Sequence, residues 1–167
     1  MIIKIANLSL GEYEFSFTEK IEDIDLNKPF LGNVKTNVKL TKLSDQLFTQ
    51  ISSTLLAEFE CDRCTTIFQK EIISEYQMIY LINNFIKESN DTNITYITKE
   101  TDKIDIKNDV REFAILSIPM KKLCNVNCKG LCPGCGVDLN YEECKCQKNS
   151  INPIWLPLLE QKIKVKK

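Results

Sequence analysis

Cys124-Asn-Val-Asn-Cys128-Lys-Gly-Leu-Cys132-Pro-Gly-Cys135-Gly-Val-Asp-Leu-Asn-Tyr-Glu-Glu-Cys144-Lys-Cys146 is the stretch on which the reading of this chain turns. The chain has eight cysteines and no histidine, and the two cysteines outside this stretch form Cys61-Asp-Arg-Cys64. Eight thiols divide into two sets of four, and four thiolates complete the tetrahedral shell of a structural zinc ion. Cys132-Pro-Gly-Cys135-Gly is the strongest single element. Pro133 presets one turn dihedral, and Gly134 and Gly136 permit the positive φ of a tight knuckle whose N–H groups face sulfur. Cys144-Lys-Cys146 follows closely enough to close that loop. The spacing therefore predicts one set of Cys132, Cys135, Cys144 and Cys146. Cys61, Cys64, Cys124 and Cys128 are left for a long-range site, with a single mixed site plus spare thiols as the alternative. A shell of four thiolates has no open position for water, so both sites read as structural.

Disulfides are the less fitting reading. The N-terminus, Met1-Ile-Ile-Lys-Ile-Ala-Asn-Leu, has too few uninterrupted apolar residues for a signal-peptide core. No run reaches the ~18 apolar residues of a membrane span. The expected compartment is the cytoplasm, where paired Cys-x-x-Cys motifs favour metal. Thiol redox through Cys61 and Cys64 is the rival, but such a pair normally sits where a strand feeds a helix, and neither pair here does.

Working outward, the chain around the cysteines is strand-rich. Residues 2–10 and 13–17 read as short strands around Gly11, and 18–32 as a turn-rich connection. β pattern resumes at Val34, and Leu47–Glu60 places Leu55, Ala57 and Phe59 on one face. Residues 65–82 form a long β-branched and aromatic run. Cys61–Cys64 lies between these last two strands, at the tip of a hairpin. It has Thr65 where the downstream knuckle has glycine. Residues 87–103 read as an exposed loop interrupted by a strand at Ile94–Ile97. A helix follows, with Asp105 or Asn108 as N-cap, Val110, Phe113, Ala114 and Ser117 at helical spacing, and Pro119 as its stop. Asn152-Pro153 opens a second short helix carrying Ile154, Trp155, Leu158, Leu159 and Ile163, which Pro157 could delay. The expected fold class is α+β: an antiparallel β-rich domain, a meander or partial barrel, with a Cys-rich zinc-knuckle segment and two short helices. Residues 1–103 form the β part. Residues 104–167 form the helix, the cysteine segment and a basic C-terminal helix packed on it.

Charge is unevenly spread. Residues 1–118 hold 13 Lys+Arg against 19 Asp+Glu, whereas 119–167 hold 9 against 4. The candidate contacts for nucleic acid or an acidic partner are Lys121, Lys122, Lys129, Lys145 and Lys148 in the cysteine segment, and Lys162, Lys164, Lys166 and Lys167 in the tail. A solvated basic terminus is the plainer account of the same residues. Tyr141 and Trp155 are the rings on which an unpaired base could stack, although packing or capping is their expected role. Catalysis finds little support: without histidine the usual general base is missing, and no glycine-rich phosphate loop is present. No small-molecule substrate is expected.

Several of these strings together resemble the YceD family, the large ribosomal RNA subunit accumulation proteins. They are Glu60-Cys61-Asp62-Arg63-Cys64, the helix Ile106–Ile118 ending in Pro119, Cys128-Lys129-Gly130-Leu131-Cys132-Pro133-x-Cys135-Gly136, Asp138-Leu139-Asn140, and Cys144-x-Cys146. The resemblance covers residues 60–82 and 104–160. It departs at Asn152-Pro153-Ile154, where family members often carry Asp-Pro and a basic residue. It implies a cytoplasmic, non-enzymatic protein needed for normal levels of large-subunit rRNA, with that rRNA or a large-subunit ribosomal protein as partner. The alternatives are a zinc-ribbon transcription adaptor, a metal reservoir and a thiol-redox protein. The strands flanking Cys61–Cys64 are acidic, which does not suit a DNA reader.

Overall fold

The computed structural model describes residues 1–83 and 93–146. Seven strands and one α-helix lie in these residues: β1 (Ile2–Lys4), β2 (Gly11–Lys20), β3 (Phe30–Lys42), β4 (Gln46–Glu60), β5 (Ile67–Ile82), β6 (Ile94–Ile97), β7 (Lys103–Asp105) and α1 (Lys107–Leu116), with a single 3-10 turn at Glu22–Ile24. The main sheet runs in the order β2-β3-β4-β5-β6, and β1 and β7 pair separately as an antiparallel ribbon.

Alternation builds the main sheet. Along β4, Leu47, Thr49, Ile51, Ser53, Leu55, Ala57 and Phe59 are all buried, while Gln50, Leu56, Glu58 and Glu60 between them face solvent. Period-2 patterning of this kind sends one set of side chains to the core and the other to water. Cross-strand register holds Val38, Ile51 and Tyr76 in one inward row. The inner face is covered by Ile3, Ile24, Ile104, Ile106, Val110 and Ala114 from β1, the 3-10 turn, β7 and α1. Burying each of these isoleucines or Val110 is worth about 1.5–3 kcal/mol. Phe113 docks the helix by stacking on Tyr76, with ring centroids 3.9 Å apart and planes 6° from parallel. Two buried hydroxyls within the face satisfy each other, Thr36 Oγ1 and Ser53 Oγ lying 2.9 Å apart.

The structure corrects several expectations. The sheet is mixed rather than antiparallel, because β6 runs parallel to β5 with Ile94 beside Ile79. Parallel neighbours cannot be joined by a tight turn. The strand expected over 2–10 stops at Lys4, where the N–H of Leu8 turns back to the carbonyl of Ile5. Gly11 opens β2 instead of separating two strands. The described residues hold one α-helix, not two, and the helix expected after Asn152-Pro153 lies outside them. Helix α1 starts at Lys107 with Ile106, not Asp105 or Asn108, at its N-cap, and Lys107 N–H donates to Asp105 Oδ1 at 3.0 Å.

Two features position the cysteines. β3 leaves β4 at Phe30–Ala57, whereas β4 and β5 stay paired out to Glu60–Ile67. Three further pairs at ~3.4 Å per residue carry the hairpin tip about 10 Å past its neighbour strand. Beyond Pro119, the chain leaving α1 runs to that same tip.

Candidate metal centre

Cys61 directly follows the end of β4 at Glu60, and Cys64 sits in the turn beyond it. The N–H of Thr65 donates to the carbonyl of Cys61 at 2.9 Å, closing the knuckle, and Thr65 adopts φ +60° to do so. The downstream knuckle repeats the design: Gly136 N–H donates to the carbonyl of Cys132 at 2.8 Å, with φ +76°. Thr65 therefore occupies the position that a glycine fills in the second knuckle, a left-handed backbone that costs a β-branched residue about 1–2 kcal/mol.

The eight sulfurs gather into the two sets the spacing predicted. Cys61, Cys64, Cys124 and Cys128 form one, and Cys132, Cys135, Cys144 and Cys146 the other, all Sγ atoms of a set lying within 4.8 Å of one another. In the first set, Cys61 Sγ is 3.9 Å from Cys128 Sγ and Cys64 Sγ is 3.5 Å from Cys124 Sγ. In the second, Cys144 Sγ is 3.1 Å from Cys132 Sγ and 3.6 Å from Cys135 Sγ. A disulfide needs about 2.05 Å between sulfurs, so these are separate thiols. Zinc–sulfur bonds of about 2.3 Å in a tetrahedron place sulfurs about 3.8 Å apart. The donor chemistry and the spacing fit one tetrahedral ion per set. All-sulfur tetrahedra suit zinc or iron.

The local field points the same way. Burial disfavours the Cys61 thiolate, but the N–H groups of Cys124, Arg63 and Cys64 outweigh it and lower its pKa to about 6. The N–H of Cys135, the Cys144 thiol and the N–H of Gly134 bring Cys132 to about 6 as well. Cys124 is pushed up to about 12 by the Cys64 thiol and by burial, and Cys146 to about 12 by Cys144 and Cys135. Each set thus favours one thiolate and keeps another thiol protonated against it. A cation removes that conflict, since it lets all four ionise together. Two amides also face sulfur in the second set: Gly134 N–H donates to Cys132 Sγ at 3.4 Å, and Cys146 N–H to Cys144 Sγ at 3.2 Å.

Sequence reasoning passed over the residues that join the halves. Asp62 and Arg63, between the first two cysteines, grip the distant segment. Asp62 N–H donates to the Lys122 carbonyl at 2.8 Å, and Lys122 N–H returns to Asp62 Oδ2 at 2.6 Å. Arg63 donates from its guanidinium to the Cys128 carbonyl at 2.6 Å, and its own carbonyl accepts from Leu131 N–H at 2.9 Å. Gly130 lies against that carbonyl so closely that a Cβ there would stand 2.8 Å from it. A charged pair flanked by cysteines, facing a glycine-containing Cys-Lys-Gly-Leu-Cys string, was the available signal.

Among the candidate contact residues, Lys121, Lys129 and Lys145 are exposed. Lys122 is half-buried, with its ammonium 5.7 Å from the Phe59 ring centroid, so it is partly engaged within the fold. Lys148, Lys162, Lys164, Lys166, Lys167 and Trp155 lie outside the described residues. Tyr141, expected to pack or cap, is instead 84% exposed. Its turn is held by backbone, Tyr141 N–H donating to the Asp138 carbonyl at 3.2 Å, which leaves the ring free. No helix in the described residues is long and apolar enough to cross a membrane.

The hairpin tip, helix and cysteine loops all fall within residues 50–161, which match the family model described as "Large ribosomal RNA subunit accumulation protein YceD". The chain belongs to the YceD family. Curated relatives share shorter stretches with this YceD-family chain. A Zea mays protein named "Large ribosomal RNA subunit accumulation protein YCED homolog 1, chloroplastic" is 40% identical over 50 residues, 29% of this chain and 17% of the relative. The Arabidopsis thaliana protein of the same name is 34% identical over 59 residues, 35% of this chain and 18% of the relative. The chain thus aligns with less than a fifth of each relative's length. No solved structure matches the chain.

Proposed function

We propose that this YceD-family chain is a non-catalytic factor that supports accumulation of large-subunit rRNA, using two zinc-stapled loops as a rigid binding platform. The carrying observation is the closure of all eight cysteines into two four-sulfur sets at one end of the sheet, inside the region that matches the family. Closed thiolate shells favour a scaffold over a reaction centre. Lys121, Lys129 and Lys145 are exposed in the cysteine segment, and Tyr141 is exposed in the same segment. Lysines of this kind meet phosphates without reading sequence, and an exposed ring stacks on an unpaired base. That combination supports single-stranded or loop rRNA as the direct partner. A reducing compartment, the cytoplasm in this reading, keeps the thiols available for metal.

The test is complementation. Cells depleted of the protein and supplied with Cys61→Ser/Cys64→Ser are expected to lose large-subunit rRNA relative to small-subunit rRNA, as depletion alone does. An unchanged rRNA ratio on depletion would overturn the biological reading. In vitro, zinc-loaded protein should bind large-subunit rRNA fragments, with affinity falling as salt rises by about 0.7 log units per log unit of salt for each phosphate neutralised on a single strand.

A further inference from the structure

We propose that the two four-cysteine sites fill cooperatively, and that Asn140 is the residue that couples them. The proposal rests on the metal reading above and deepens it. Asn140 belongs by sequence to the second site's loop, between Cys135 and Cys144. Its side chain, however, reaches the first site: Asn140 Nδ2 donates to Cys128 Sγ at 3.4 Å. The orientation of this amide is fixed by its surroundings. Lys129 N–H can only donate, and Asn140 Oδ1 accepts from it at 2.7 Å. The carboxylate of Asp138 accepts, and Asn140 Nδ2 donates to Asp138 Oδ1 at 2.7 Å. With oxygen toward Lys129, nitrogen must face both Asp138 and the sulfur.

The backbone around it binds the two sites into one unit. Cys128 and Cys132, ligands of different sets, are joined by Lys129-Gly130-Leu131. Leu139 N–H donates to the Gly130 carbonyl at 2.9 Å, and Leu131 bridges to Asp138. The second loop is held by its thiols and by local hydrogen bonds but has no buried side chain after Cys132: Cys135, Cys146 and Tyr141 are exposed and Val137 and Leu139 only half-buried. An ion in the second site therefore fixes the loop that presents Asn140 to the first. A donor to a metal-bound thiolate stabilises its charge, and removing such an outer partner typically weakens metal binding 10–100-fold. Linkage makes the help mutual: whatever the second site adds to the first, the first adds to the second.

The experiment titrates the full, metal-stripped chain with Zn²⁺ against a chromogenic chelator and counts bound ions by native mass spectrometry. At half-saturating Zn²⁺ the wild type should show zero-zinc and two-zinc forms, with the one-zinc form depleted below independent filling. Asn140→Ala removes the donor without adding a charge beside Asp138 and the thiolates, so the one-zinc form should accumulate. Disabling the second site with Cys135→Ser/Cys144→Ser should weaken the first about 10-fold, and Asn140→Ala in that background should cost little more. A wild type that fills independently, or a 10-fold loss that persists between Asn140→Ala and its double-serine partner, overturns the coupling while leaving two metal sites standing. A chain that takes up no zinc overturns the metal reading itself.

Discussion

The two four-cysteine sets are built from the same knuckle but do different jobs. The first draws Cys61 and Cys64 from a hairpin tip and Cys124 and Cys128 from a segment sixty residues later, and buries Cys61, Cys64 and Cys128 beside Phe68 and Leu123. The second is assembled within residues 132–146 and leaves Cys135 and Cys146 exposed. The first fastens two distant parts of the fold, whereas the second shapes only the loop that contains it. Identical ligands thus yield a tertiary fastening or a local staple, according to how much chain lies between them.

The largest effect should come from cutting the fastening. Cys61→Ser/Cys64→Ser is expected to reduce bound zinc from two ions to one and to remove hydrogen-exchange protection across residues 118–131. β2 to β5 should stay protected, since their core of Val38, Ile51, Leu55 and Tyr76 does not involve the thiols. Protection lost throughout the sheet would show that the sheet depends on the metal. Cutting the staple should do less. Cys135→Ser is expected to cost one zinc ion and the protection of residues 132–146, with the first site still filled at saturating zinc.

Two glycines sharpen the contrast. Both Gly130 and Gly136 have positive φ, but a Cβ on Gly130 would strike the Arg63 carbonyl, whereas one on Gly136 meets nothing within 4 Å. Gly136→Ala should cost about 1–2 kcal/mol from backbone strain alone. Gly130→Ala should cost more, because it also forces apart the hairpin tip and the cysteine segment. Equal losses in thermal unfolding would mean that the contact with Arg63 is not a close fit. The smallest effect is a gain. Thr65→Gly relieves a left-handed threonine, but it adds chain entropy of about 0.5–1 kcal/mol in the unfolded state and removes the hydroxyl bond to the Cys64 carbonyl. A net stabilisation below about 1 kcal/mol is expected, read as slower zinc loss to a chelator.

The cysteine spacing disclosed the grouping of thiols because short gaps and a Pro-Gly turn leave few ways to close a loop. Alternation disclosed β4 and β5, since one face of each is buried and the other wet. Helix α1 was legible from Val110, Phe113, Ala114 and the stop at Pro119. What stayed hidden was relational. Nothing local in Ile94–Ile97 tells which way it runs beside β5, because four residues pair equally well in either direction. The roles of Asp62, Arg63 and Asn140 depend on partners sixty or eleven residues away, and a residue's composition carries no record of them. Thr65 obscured the likeness of the two knuckles for a different reason: it holds, at φ +60°, a backbone conformation that glycine usually supplies.

The span between the two halves of the first set has a consequence for synthesis. At about 5–20 residues per second, roughly 3–12 s separate the emergence of Cys64 from that of Cys124. For that interval a nascent β4–β5 hairpin carries two thiols with no partners, exposed to oxidants and to any passing soft metal. Only when Cys128 clears the exit tunnel can Arg63 find its carbonyl and the first set close. Closure of the first four-cysteine set therefore registers that the downstream segment has been made.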